Sequence, residues 1–184
     1  MLELLFIIVF IGIIYPFTLY PLSLFIISKF YTQKIESSHE YDPSVSFIIS
    51  AYNEEKNIKK KIENISQLDY DKKKMEIIVA SDGSTDKTDE IVEDLILYYK
   101  KKLNLKLLKL SGRKGKTNAQ NEAVKISHNT ILVFSDANSI WEGKALKYLV
   151  STFSDESVGY VCGRLQYFNE KPTETSNSES KYWN

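Results

Sequence analysis

The residues best equipped for chemistry stand where apolar runs end. Ile131-Leu132-Val133-Phe134-Ser135 leads into Asp136-Ala137-Asn138, which has the spacing of a D-x-D metal and diphosphate motif with its last acid changed to an amide. Val45 to Ser50 leads in the same way into Ala51-Tyr52-Asn53-Glu54-Glu55, and Met75 to Ser81 into Asp82-Gly83-Ser84-Thr85-Asp86. A basic, glycine-bearing loop, Ser111-Gly112-Arg113-Lys114-Gly115-Lys116-Thr117, adds cations. Oxygen donors of this kind suit a divalent cation and hydrogen bonds to a base or ribose, while the cations suit a diphosphate. Each acid also has a plainer reading. Asp136 opens a turn, Glu54 stabilises a helix N-terminus, and Asp82 is a turn residue. Other nucleotide chemistries fit less well. The first strand is not followed by G-x-G-x-x-G, and Gly115-Lys116-Thr117 ends like a Walker A loop but has Leu110 where that loop requires glycine. His39 and His128 are far apart in polar surroundings, which gives a zinc or Ser-His site little to build on.

For these blocks to meet, the chain must alternate strand and helix, and it does. Val45–Ser50, Met75–Ser81, a shorter stretch within Leu103–Leu110, Ile131–Asp136 and Val158–Leu165 read as strands. The stretch before Asp136 lacks polar alternation, as expected of a strand buried on both faces of a parallel sheet. A helix from about Glu54, capped by Asn53, carries Ile58, Ile62, Ile65 and Leu68 as one stripe, with Lys59, Lys60 and Lys61 on a solvated face. Ser84 or Thr85 caps a second helix, whose buried stripe includes Ile91, Val92, Leu95, Ile96 and Tyr99. Further helices run from about Thr117 to Ser127 and around Leu146–Phe153. The pattern predicts a mostly parallel sheet with helices on both faces. Such a sheet brings the ends of its strands to one edge, where ligands bind. Lys+Arg and Asp+Glu both number 24, so no basic field points to nucleic acid. The single cysteine, Cys162, excludes an internal disulfide and sits in an apolar run as an expected core residue.

Leu4 to Ile27 is apolar, carries no charge and contains Pro16 and Pro21. It is long enough to cross a bilayer core of about 30 Å as one kinked helix. The acidic start and the exit Ser28-Lys29-Phe30-Tyr31 favour a retained anchor over a cleaved signal peptide. Lys29 and Lys34 follow the span with no basic residue before it, which places the soluble part in the cytoplasm. The expected organisation is therefore a transmembrane anchor at 1–30, a linker at 31–44, an α/β domain at 45–168 and a polar tail at 169–184.

Four blocks carry a family resemblance: Ser46 to Glu55, Val79 to Asp86, Gly115 to Ala123, and Ile131 to Asn138. In order and spacing they resemble family 2 glycosyltransferases, most of all the membrane-bound processive branch of poly-N-acetylglucosamine, cellulose and hyaluronan synthases. The resemblance covers about Val45 to Leu165. It implies a Rossmann-like GT-A fold, a UDP-sugar donor, Mg²⁺ or Mn²⁺, and inverting sugar transfer for polysaccharide or glycoconjugate synthesis at the membrane. It assigns Ala51, Tyr52 and Glu54 to the loop lining the nucleotide, Asp82 to uracil or ribose, Lys116 to the diphosphate, and Asp136 with Asn138 to the metal.

The pattern also departs from the family. Ser81 stands where an Asp-Asp-Gly block has its first acid, and Asn138 offers the metal an uncharged oxygen, so weaker metal affinity is expected. The family's catalytic base and its Q-x-x-R-W-type acceptor motif are expected beyond Asn184, since Glu170, Glu174 and Glu179 lie in a polar tail. Lys181-Tyr182-Trp183 resembles the start of the segment leading into the acceptor half. The expectation is an anchor with a donor-binding half that binds UDP or its sugar without transferring it. Two other readings stay open: a non-catalytic module completed by a companion chain, and a membrane-anchored scaffold without a nucleotide role.

Overall fold

The computed structural model describes residues 1–31 and 34–164, and the chain divides into two units, Met1–Glu36 and Ser37–Asn184. The expected tail at 169–184 and Leu165 lie outside the described residues.

In the first unit the expected single span is two helices, α1 (Leu2–Ile14) and α2 (Leu19–Phe30), separated by a 3₁₀ turn at Tyr15–Phe17 and bent by 46°. Pro16 has no N–H to continue the α1 ladder, so the helix stops there. Pro21 falls in the first turn of α2, where a missing N–H costs nothing. Thr18 bridges the break by donating its hydroxyl to the Ile14 carbonyl at 3.0 Å. Neither helix alone is long and apolar enough to cross a membrane; the bent pair is, by length and composition.

The second unit is built on a four-stranded, all-parallel sheet: β1 (Val45–Ala51), β2 (Met75–Ser81), β3 (Asn104–Lys109) and β4 (Ile131–Asp136), in the order β3-β2-β1-β4. Helices α3 (Ile58–Ser66), α4 (Thr88–Tyr99), α5 (Lys116–Lys125) and α6 (Ala145–Ser151) complete it. Alternation along β1 sends Val45, Phe47 and Ile49 into a core with Ile62 of α3, Val92 of α4 and Leu146 of α6. Ile48 points the other way, against Ala119 and Ala123 of α5 together with Ile78 and Ala80 of β2. Helices therefore cover both faces, as expected. From Ser37 onward the expected linker packs into this unit: Asp42 pairs with Lys74 at 2.9 Å, and the Pro43 carbonyl accepts from the Tyr70 hydroxyl.

Several local expectations are corrected. Among the described strands β4 lies at an edge, and Phe134 is 46% exposed rather than buried on both faces. Residues 158–164 form no strand, and Cys162 is exposed, not a core residue. Helix α3 starts at Ile58, not Glu54, since Asn53 takes the left-handed conformation (φ 53°) and its side chain accepts from the Thr85 N–H at 2.8 Å instead of capping α3. The N-cap position of α4 is Lys87, without a side-chain cap, so neither Ser84 nor Thr85 caps it; just ahead of the helix Asp86 accepts from the Thr88 N–H at 2.9 Å. Lys61 is not solvated: it is fully buried on the stripe of Ile58, Ile62 and Ile65.

Candidate functional site

Register settles where the polar strand ends go. Ala51 pairs with Ser81, and Ser50 with Asp136, so β1, β2 and β4 finish level with one another at the carboxyl edge. The Ala51 carbonyl accepts from the Asp82 N–H at 2.9 Å, tying the first two blocks together.

Asp82 is buried, and its carboxylate organises the basic loop. One oxygen accepts from the Lys114 N–H at 2.9 Å and the other from the Gly115 N–H at 2.7 Å. The loop can come that close because Gly83 (φ 72°) faces the Gly112 backbone with no side chain between them. Held in this way, the loop sets the Arg113 guanidinium over the Tyr52 ring, 4.2 Å from its centroid. It also starts α5 at Lys116, whose ammonium reaches the Asp136 carboxylate at 2.5 Å. Both partners of that pair are about half exposed, so the pair is open to solvent and to ligands.

Tyr52, Asp82, Lys116 and Asp136 are thus brought to one edge, with Ala51 beneath them as a buried strand end. Asn138 is exposed in the turn after Asp136. Glu54 is turned elsewhere: its carboxylate accepts from the Asn57 side chain at 2.7 Å and its carbonyl from the Ile58 N–H at 2.9 Å, so it organises the entry to α3.

No group of three or more His, Cys, Asp or Glu side chains that could hold a metal occurs among the described residues. Asp136 and Asn138 are both exposed and carry oxygen donors of the type that hard cations such as Mg²⁺ or Mn²⁺ take, Asp136 being paired with Lys116. Hard cations of this type take one or two protein oxygens and complete their shell with substrate phosphates and water.

Sequence reasoning missed Lys61. Its ammonium, inside the protein, donates to Ser135 Oγ at 2.7 Å, the Ser139 carbonyl at 2.8 Å and Ser139 Oγ at 3.1 Å. Burial pushes its pKa down and the nearby Asp136 charge pushes it back up, leaving it at about 8. The available signal was helical phase, which puts position 61 with Ile58, Ile62 and Ile65.

The family model described as Glycosyl transferase family 2 matches residues 46–184. The poly-beta-1,6-N-acetyl-D-glucosamine synthase of Staphylococcus epidermidis is 30% identical over 137 residues, 74% of this chain and 32% of the relative. Among solved structures, the mannosyltransferase PcManGT from Pyrobaculum calidifontis, in complex with GDP-Man and Mn2+, superposes with a TM-score of 0.70 at 29% identity, over 81% of this chain and 44% of that one. S. aureus TarS 1-349 in complex with UDP-GlcNAc gives 0.52 at 32% identity, over 57% of this chain and 30% of that one. The chain spans about a third of the length of the curated relatives it matches.

Proposed function

This chain belongs to glycosyl transferase family 2, and from that premise we propose that residues 45–164 hold the donor of a sugar transfer, a UDP-sugar with Mg²⁺ or Mn²⁺. The observation that carries the reading is the meeting of Tyr52, Asp82, Lys116 and Asp136 at one sheet edge, linked through the loop that Asp82 anchors. The nucleotide-sugar complexes of PcManGT and TarS support the ligand class, and the Mn2+ of PcManGT supports the metal. Similarity to a polysaccharide synthase supports polysaccharide synthesis as the setting.

The roles follow from the chemistry. Asp136 and Asn138 hold the cation, which compensates the charge of the departing diphosphate. Lys116 exchanges its carboxylate for a diphosphate oxygen, and Arg113 offers a second cation beside it. Each Asp82 oxygen accepts one loop N–H and keeps a lone pair for a uracil N–H or ribose hydroxyl. The transfer also requires an acceptor hydroxyl and a base that deprotonates it.

Calorimetric titration with UDP tests the site. Mn²⁺ should tighten UDP binding about tenfold in the unaltered chain, and Asp136→Ala should abolish that tightening, the scale of one well-placed charge–oxygen contact. Equal UDP affinity with and without Mn²⁺ in the unaltered chain would overturn the metal role.

The bent α1–α2 pair anchors the chain in a bilayer, with Lys29 and Lys34 holding the remainder on the cytoplasmic face. The full chain should stay with the membrane pellet through carbonate washing, and a chain lacking residues 1–30 should not. Release of the full chain into the wash counts against an anchor.

A further inference from the structure

The turn that carries Asp136 and Asn138 rests on a buried cation. Lys61 reaches up from α3 and spends its N–H donors on the two ends of that turn, Ser135 and Ser139. The rest of the contact is a closed network. Trp141 Nε1 donates to Ser135 Oγ at 2.9 Å, and the Ser135 and Ser139 hydroxyls lie 3.1 Å apart. Ser139 Oγ donates to the Asp136 carbonyl at 2.9 Å, which fixes the backbone of the acid itself. On the far side, Asn64 of α3 exchanges two hydrogen bonds with the Trp141 backbone, at 2.8 and 2.9 Å, so helix and turn are joined twice. The Trp141 ring packs edge-on against Phe47 of β1, 5.0 Å between centroids.

The arrangement costs stability, which is the reason to ask what it does. A fully buried ammonium gives up its hydration, and no carboxylate touches this one; its partners are hydroxyls, a carbonyl and the Trp141 ring, 5.8 Å from its centroid. An apolar residue would suit the same position on a stripe of isoleucines. An apolar side chain would leave the two ends of the turn without a common donor.

We propose that Lys61 is a positioning residue for the cation site, clamping Ser135 to Ser139 so that Asp136 and Asn138 present their oxygens together. The inference rests on the reading that this turn holds the donor's cation. Preorganisation of this kind acts on metal-dependent binding, because a carboxylate and an amide free to splay apart no longer chelate one ion. Metal-free contacts to the nucleotide, made by the Asp82 edge, are untouched.

The test compares the UDP dissociation constant with and without Mn²⁺ in the unaltered chain, Lys61→Met, Ser135→Ala and Ser139→Ala. Lys61→Met should lose about fivefold of the Mn²⁺-dependent tightening while metal-free UDP affinity changes less than twofold. Ser135→Ala keeps the buried charge but removes the hydroxyl on which Lys61 and Trp141 converge, and should lose a similar factor. If Lys61 acted only through its charge, Ser135→Ala would leave the tightening unchanged and Lys61→Met would strengthen Mn²⁺ binding; either result overturns the clamp. Should Lys61→Met fail to fold, Ser139→Ala decides, with about a threefold loss expected and unchanged tightening overturning the proposal. An unaltered chain that binds no UDP under any condition sinks the donor-site reading instead, which separates the two failures.

Discussion

Replacing Glu76 by alanine is expected to lower the unfolding free energy by about 3–5 kcal/mol in urea denaturation at neutral pH, the usual cost of breaking a buried charge network. Glu76 lies at the start of β2, at the opposite edge from Asp82 and Asp136, and is only 3% exposed. One carboxylate oxygen accepts from Lys106 Nζ at 2.6 Å and lies 2.8 Å from His128 Nδ1; the other accepts from Ser46 Oγ at 2.7 Å and the His128 N–H at 2.9 Å. Without the acid, Lys106, Ser46 and the His128 N–H lose their acceptor together, and three separate segments lose their common anchor on β2. Burial alone would raise this carboxyl's pKa. The bonds from Lys106, Ser46 and His128 outweigh burial and hold it at about 2, against an ordinary 4.5. The sign follows from linkage. The folded protein keeps Glu76 ionised where the unfolded chain already binds a proton, so the stabilisation is complete above about pH 4.5 and is lost as pH falls towards 2. At roughly 1.4 kcal/mol per tenfold in proton affinity, that is about 3 kcal/mol. The alanine variant should accordingly show a flatter acid limb than the unaltered chain. Parallel acid limbs would show that Glu76 is not held ionised in the fold.

Gly83→Ala is expected to cost about 2–4 kcal/mol and to weaken UDP binding at the same time. Two causes add. Position 83 has φ 72°, where a side chain costs roughly 1 kcal/mol. A Cβ there would also stand 2.9 Å from the Gly112 carbonyl carbon and 3.2 Å from the Arg113 nitrogen, backbone atoms that can yield only by moving the loop, at about 1–3 kcal/mol. Moving that loop pulls Lys114 and Gly115 away from Asp82 and carries Arg113 and Lys116 with them. Two control variants separate the causes by thermal denaturation. Gly112→Ala has the same φ with open space around it, and should show only the conformational share. Gly143→Ala has neither problem and should stay within about 0.5 kcal/mol. A Gly83→Ala loss no larger than that of Gly112→Ala would mean that the loop does not depend on the close approach.

Most of the second unit was readable from sequence because its strands are continuous apolar runs and its helices carry stripes. Val45–Ala51 and Met75–Ser81 needed no tertiary knowledge, and neither did the stripe of Ile58, Ile62 and Ile65. The positions that resisted are those whose environment is set by distant partners. Phe134 belongs to a run as apolar as any in the chain, but edge status is a property of strand order. Three consecutive lysines read as solvated; what makes Lys61 tolerable inside is Ser135 and Ser139, more than seventy positions away. Asn53 looks like a helix cap until the β2 loop offers it the Thr85 N–H. At the carboxyl edge of the sheet the sequence did not show that Asp82 spends one lone pair of each oxygen on its own protein, or that the Glu54 carboxylate accepts from the Asn57 side chain ahead of α3. Proline marked where the N-terminal helix breaks; the size of its bend was not encoded locally.

The Lys116–Asp136 contact has a consequence for the order of events. On the proposed reading, a divalent ion approaching Asp136 alone displaces a half-exposed ammonium into water, and a diphosphate approaching Lys116 alone draws it off a half-exposed carboxylate. Arriving together, each supplies what the other displaces: the phosphate accepts the lysine, and the ion takes over the carboxylate. Cation and nucleotide therefore favour each other's entry by one common factor. On the proposed reading, the site favours the preformed ion–nucleotide complex over its separate halves.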